Sequence, residues 1–473
     1  MSNSPIDLSA FIKAYDVRGL VGSQLTDEVV RALGAGFADE VGTPGGSVVV
    51  GHDMRDSSPG FAAQFAAGVR DRGVSVVAIG LCSTDETYFA SGHLDLPAAM
   101  FTASHNPATY NGIKFSRAGA QGISLATGLG AIRDRATAYL ENGIEVIDPR
   151  GDMREVNVLP EYATYLRSLV DLTGIRPLKV VVDAGNGMGG LTVPAVLGTS
   201  AGLSALPLDI VPLYFELDGT FPNHEANPLD PANIVDLQKA VIEHGADLGL
   251  AFDGDADRCF VVDEQGHAVT PSAVGAIVAQ RAIERAKLTD GDAEIVVLHN
   301  LITSRIVPET IIGAGARPVR TRVGHSLIKD EMAATGAIFG AEHSAHYYFR
   351  EFWGADNGML AAMYLLQEFG SYDGPMSELS AKFTPYAFSG EINSTVADVP
   401  AAYARIVDEY AAIADFDELD GLTVLGISAG DEPFWWFSVR PSNTEPLLRL
   451  NVEAATAEKM SSVRDHVLGL IRE

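Results

Sequence analysis

The sequence predicts an α/β fold: three similar α/β domains with mixed sheets, followed by a C-terminal α+β domain. Three observations carry this. At 473 residues the chain exceeds what one hydrophobic core fills, so it must divide. Short β-branched runs that break into polar or Gly-rich residues and then into a helical pattern start near Val48, Leu178 and Glu294, roughly 115 to 130 residues apart. The C-terminal stretch departs from that pattern, with an amphipathic run at Ala401–Ile413 and alternating segments at Trp435–Arg440 and Leu447–Glu453.

Within the first unit, Val48–Val50 reads as a strand, Gly60–Arg72 as a helix and Val74–Ile79 as a strand; a second helix and a strand ending at Phe101 complete a βαβαβ unit. Leu178–Asp183 and Glu294–His299 open the next two. Turn formers at Asp148–Met153 and Tyr372–Pro375, and the hairpin-like Glu264-Gln265-Gly266, divide the chain into 1–152, 153–263, 264–374 and 375–473.

With 47% hydrophobic and 20% charged residues, the composition supplies packed cores and no disordered tract. A net charge of −29 argues against nucleic acid or an anionic membrane surface as a partner. An anionic ligand would then need a locally basic cleft. Cys82 and Cys259 are too few for a disulfide framework. No apolar run reaches membrane-span length and no signal-peptide pattern opens the chain, so cytoplasmic residence is expected.

The most specific segment is Asp253-Gly254-Asp255-Ala256-Asp257-Arg258, directly after the apolar Leu248–Phe252. Ligands of open α/β sheets bind where loops leave the carboxyl ends of strands. In an extended loop, carboxylates at alternate positions point the same way and converge on one hard cation, for which magnesium is suited. A calcium EF-hand fails, because Arg258 stands where that loop needs glycine and the flanking segments are β-like. A solvated acidic turn is the blander alternative.

A second segment, Phe101-Thr102-Ala103-Ser104-His105-Asn106-Pro107, again ends a strand and leads to Tyr110-Asn111-Gly112-Ile113-Lys114. Ser104 is either a nucleophile awaiting activation by His105, Lys114 or a cation, or a turn-capping residue.

Together these two segments resemble the signature of the α-D-phosphohexomutases, closest to bacterial phosphomannomutase/phosphoglucomutase. Gly340-Ala341-Glu342-His343-Ser344-Ala345-His346 resembles that family's sugar loop, with Ala341 inserted before Glu342 and Ala345 in place of the usual glycine. Arg440-Pro441-Ser442-Asn443-Thr444-Glu445-Pro446 resembles its phosphate loop, with Pro441 where alanine is also found. Tyr15-Asp16-Val17-Arg18-Gly19 and Val323-Gly324-His325-Ser326-Leu327-Ile328-Lys329 fit as well.

The resemblance implies an active site in a central cleft and reversible interconversion of hexose 1-phosphate and hexose 6-phosphate. Ser104 would carry the phosphoryl group and, with Asp253, Asp255 and Asp257, hold Mg2+. A hexose 1,6-bisphosphate would serve as intermediate and activator. Arg18, Lys114 and Arg258 would supply positive charge; His105, Lys114, His325 and His346 are the acid/base candidates. Glu342, Ser344 and His346 would hold the sugar, and Arg440, Ser442, Asn443 and Thr444 its phosphate. Small-molecule sugar phosphates are the expected partners, and the protein is expected to be a monomer or homodimer. Phosphoglucosamine mutase, a phosphoserine-dependent phosphatase and, from Val180–Gly190, a dinucleotide-binding oxidoreductase are the alternatives. The last is weak, since its glycines miss the G-x-G-x-x-G spacing.

Overall fold

A computed structural model describes residues 7–42, 45–291, 293–427, 433–441 and 447–472. Its described residues form four sheets in chain order, three mixed and one wholly antiparallel, as the α/β and α+β division anticipates. In the first, the parallel strands Ser47–His52, Ser75–Leu81 and Ala98–Phe101 are joined by antiparallel Tyr110–Arg117 and Val17–Leu20. Hydrogen bonding carries this sheet past residue 152, because Met153–Glu155 pairs in parallel with Ser75–Leu81. The helix expected from Gly60 begins at Ser58, with proline in its first turn, where a missing N–H costs nothing.

The second sheet sets Leu248–Phe252 between parallel Leu178–Asp183 and antiparallel Cys259–Asp263, the segment that turns at Gly266 into Ala268–Val269. In the third, Val296–Asn300 runs parallel to Arg317–Thr321 and Phe339–Ala341, and Tyr347–Phe349 returns antiparallel. The fourth pairs Trp435–Pro441 with Leu447–Ala454. The C-terminal helix expected through Ile413 ends at Tyr410.

One continuous apolar cluster runs through the first three units, from Val77 through Val181 and Leu250 to Val297 and Leu365. The helix Gly358–Gly370 lies inside it. Its Met-Leu-Ala-Ala-Met-Tyr-Leu-Leu run is apolar all round, which is the pattern of a helix with no solvent face. The C-terminal unit has its own core around Phe437, Leu450 and Val467. A separate core is what a unit needs to move as a body relative to its neighbours.

A buried acid network sits at the start of the helix Thr84–Leu94. The helix Thr84–Leu94 starts with a capping box in which Ser83 N donates to Glu86 Oε2 at 3.1 Å and Glu86 N to Ser83 Oγ at 3.2 Å. Tyr162 Oη donates to Asp85 Oδ2 at 2.5 Å and lies 3.5 Å from Asn357 Nδ2, so the network crosses three units. Burial pushes Asp85 up to about 7 and Glu86 up to about 8. The folded chain therefore holds these protons more tightly than the unfolded chain. Their contribution to stability is complete below the ordinary carboxyl range and is lost as pH rises through about 7 and 8. Asp85→Asn is expected to flatten the fall in melting temperature between about pH 5.5 and 8. A parallel slope in the variant and the parent, measured by calorimetry, would contradict this.

Candidate active site

Ser104 follows the strand Ala98–Phe101, and the three aspartates follow Leu248–Phe252, so both loops leave the carboxyl ends of buried strands. The two loops meet at van der Waals limit: a Cβ on Gly254 would lie 2.4 Å from the Ser104 carbonyl oxygen, so only glycine fits there. Ser104 Oγ donates to Asp253 Oδ2 at 2.8 Å, across 149 residues of chain. Three non-glycine residues in this region have left-handed backbones: Ser104 at φ 48°, Ala256 at 61° and Ala345 at 67°. Such conformations cost about 1–3 kcal/mol each and persist only where the surroundings impose them. One falls in each of the serine, aspartate and sugar-type loops.

Asp253, Asp255 and Asp257 are buried, with one oxygen of each within 4.8 Å of the others. Lys114, opposite Met100 on the neighbouring strand, reaches Asp255 Oδ2 at 2.7 Å and Asp257 Oδ2 at 2.6 Å. Arg258 Nε donates to Asp253 Oδ2 at 3.0 Å. Burial raises Asp255, but Lys114 and the Thr84 hydroxyl overcome it and hold that carboxyl well below the usual range. Burial and then the charge of Asp255 push Asp257 up to about 7. Three carboxylates against two cations leave one negative charge, and Asp255 Oδ1 and Asp257 Oδ1 are buried without a hydrogen-bond partner. An all-oxygen set with free lone pairs fits a hard divalent cation.

His105 Nδ1 lies 2.8 Å from Arg258 Nη2 and 3.3 Å from Ser104 Oγ. A guanidinium can only donate, so Nδ1 accepts and the ring is neutral. Burial, then Arg258, lowers its pKa to about 2. Burial alone would lower Lys114, but the charges of Asp255 and Asp257 outweigh it and hold the ammonium well above its ordinary value, so it acts as a fixed charge. Arg18 donates to Asn106 Oδ1 at 2.6 Å and pairs with Asp16 at 2.7 Å, on the rim of the serine loop.

The third unit brings His346 Nε2 to 3.9 Å from Asp257 Oδ1, with Ser344 Oγ 2.9 Å from His346 Nδ1. Burial lowers His346 to about 4. Glu342 is buried and accepts from Tyr348 Oη at 2.7 Å, Asn300 Nδ2 at 3.3 Å and Gly324 N at 3.3 Å. Burial raises its pKa. Ala341 is the last residue of the strand Phe339–Ala341, and the Glu342–His346 turn that follows is closed by Glu342 N, which donates to the His346 carbonyl at 3.0 Å. Arg440, near the end of its strand, is 7% exposed and lies 3.8 Å from Asp420, which also accepts from Val323 N of the third unit at 3.1 Å. Ser442, Asn443 and Thr444 lie outside the described residues, as does the side chain of His325.

Against known proteins, residues 10–151, 160–266 and 270–386 match the alpha/beta/alpha domains I, II and III of phosphoglucomutase/phosphomannomutase, and residues 391–470 match its C-terminal domain. The chain belongs to the phosphoglucomutase/phosphomannomutase family. It is 40% identical over 450 residues to "Phosphohexose mutases" of Xanthomonas campestris pv. campestris, covering 94% of this chain and 95% of that one. It is 35% identical over 467 residues to a phosphomannomutase of Escherichia coli, covering 97% and 98%. A crystal structure of a phosphoglucomutase/phosphomannomutase family protein from Burkholderia thailandensis superposes with a TM-score of 0.84 at 28% identity, over 98% of this chain and 97% of that one. This family member is a phosphohexomutase, an intramolecular phosphotransferase acting on sugar phosphates. The family is metal-dependent, and the aspartate cluster is where this chain offers a site. No helix among the described residues is long and apolar enough to cross a membrane.

Several groups against this site carry no motif in the sequence. Thr84 donates to Asp255 Oδ2 at 2.6 Å from another unit. Asp356 is held by Lys329 Nζ at 2.8 Å, and Asp257, His346 and Asp356 form a second convergent group. Arg55, 2% exposed, sits beneath the serine loop. The only local cue for it is an Asp-x-Arg at the carboxyl end of Ser47–His52.

Proposed function

We propose that Ser104 is the phosphoryl carrier and that this chain interconverts the 1- and 6-phosphates of glucose and mannose through a hexose 1,6-bisphosphate. The observation that carries this reading is the 2.8 Å contact between Ser104 Oγ and Asp253, where a nucleophile from one sheet meets buried carboxylates from another. Asp253, Asp255, Asp257 and the Ser104 oxygen would hold Mg2+, which when bound cancels charge on the transferred phosphoryl group. Arg258 and Lys114 hold the aspartates in place, and Arg18 stands ready on the rim with its guanidinium toward the serine loop. His346 and Ser344, linked to each other, face the sugar from the third unit, while Arg440 with Ser442, Asn443 and Thr444 anchors the distal phosphate. A fork of N–H donors suits that phosphate better than a point charge. The four units divide near 152, 263 and 374, the first sheet reaching on to Glu155, and the C-terminal unit, with its separate core, closes over the substrate. A monomer or homodimer suffices, since this chain alone supplies the groups named.

The test is priming. Dephosphorylated enzyme should turn over glucose 1-phosphate only after catalytic hexose 1,6-bisphosphate is added, and peptide mapping should then find phosphate on Ser104. Full activity without priming, with Ser104 unmodified, would leave a phosphatase-like or direct-transfer reading instead.

A further inference from the structure

The guanidinium of Arg55 gathers the serine loop by its backbone. Nη2 donates to the Ser104 carbonyl at 2.8 Å and the Asn106 carbonyl at 2.7 Å, and Nη1 donates to the Pro107 and Tyr110 carbonyls at 3.0 and 2.9 Å. Nε lies 3.2 Å from Asp53 Oδ2. Asp53 is itself anchored: its N–H donates to the Phe101 carbonyl at 2.9 Å and its Oδ1 accepts from Ser58 Oγ at 2.6 Å. On the far side the ring of Phe221, from the second unit, lies 5.2 Å from the guanidinium, and a Cβ on Gly219 would be 2.6 Å from the Arg55 Cα. Thus one side chain joins the end of a strand, the loop bearing Ser104, and a segment of the unit that carries the aspartates.

Four carbonyls of one short loop, that of Ser104 buried, converge on this side chain, and buried backbone oxygens left unpaired oppose folding. A planar fork with five N–H groups can meet them at once, whereas an ammonium with three donors cannot hold the same set in one plane. The left-handed Ser104, at φ 48°, lies at the start of this clamped stretch, so the clamp decides where Oγ points. The four N–H groups of Nη1 and Nη2 are spent on the serine loop, which leaves neither terminal nitrogen free to bind a sugar phosphate.

We infer that Arg55 is a positioning residue for phosphoryl transfer: by clamping the carbonyls of the Ser104 loop it aims Ser104 Oγ at the aspartate cluster, and it governs the transfer step and not substrate binding. This rests on Ser104 being the phosphoryl carrier. In Arg55→Lys the charge and most of the stem remain but the fork is lost. Misplacement of a reacting atom by about 1 Å costs on the order of a hundredfold, so kcat is expected to fall about 30- to 100-fold with KM within about twofold. Phosphate loading of Ser104 from a hexose 1,6-bisphosphate, followed by intact mass, should slow by the same factor, in a chain that still melts cooperatively though at a lower temperature than the parent.

The outcomes separate cleanly. If the parent enzyme takes no phosphate on Ser104, the carrier assignment falls. If the parent loads and a folded R55K loads and turns over at the parental rate, or loses KM and keeps kcat, the positioning role falls. An R55K chain that does not fold also overturns it, because Arg55 would then be a core residue of the fold alone.

Discussion

Ser104→Ala is expected to fold like the parent and to lose turnover by about 10^4-fold or more, because a covalent step without its nucleophile has no substitute path of similar rate. The fold survives for a local reason. Ser104 Oγ is one of several partners of Asp253, which keeps the Arg258 N–H at 3.2 Å and Nε at 3.0 Å when the hydroxyl is removed. Alanine in the left-handed backbone at this position costs only on the order of 1 kcal/mol more than a residue that tolerates it. The clamp from Arg55 acts on carbonyls and is untouched. Initial rates with glucose 1-phosphate, taken with a melting curve, check this. Turnover within about tenfold of the parent would remove Ser104 from the chemistry.

Lys114→Met is expected to make the protein's stability depend on divalent cation. Its ammonium is the shared partner of Asp255 Oδ2 and Asp257 Oδ2, and the second oxygen of each is already without a hydrogen-bond partner. Removing one member of a buried ionic group leaves charge uncompensated, which costs about 3–5 kcal/mol. The loss should be greatest at high pH and shrink as pH falls, because Asp255, no longer held low by Lys114, can then take up a proton. A ligand that binds only the folded state restores stability by mass action, so magnesium should recover much of the lost melting temperature, and a chelator should abolish the recovery. Turnover should fall by about 10^2- to 10^4-fold even with magnesium, since the fixed charge beside the transferred group is gone. Melting curves in chelator that match the parent's would show that Lys114 compensates no buried charge.

Much of the fold was legible because its signals are local. Leu178–Asp183 and Leu248–Phe252 are strands as read, since continuous apolar runs of that length bounded by turn formers belong to buried parallel strands. Strand and helix edges moved by a few residues, and Met153–Glu155 joined the first sheet although its residues are exposed. A short edge strand has no periodicity to read; it is defined by the partner that accepts its hydrogen bonds. The aspartates and the serine were legible for the same reason as the strands: each group lies within a few residues at the end of an apolar run. Arg55 and Thr84 were not, because each acts on a residue in another loop or another unit.

By itself the sequence determined the order of strands and helices, the division into α/β and α+β units, and the residue types placed at each strand end, since these follow from periodicity and spacing along one chain. Only the tertiary structure decided which charges neutralise which. It placed Lys114 between two aspartates, turned His105 into an acceptor for Arg258, and raised Asp85 and Glu86 into the neutral range. The physical reason is that desolvation and ion pairing depend on what surrounds a group in space, and neighbours brought together across 141 or 149 residues leave no mark on either local segment.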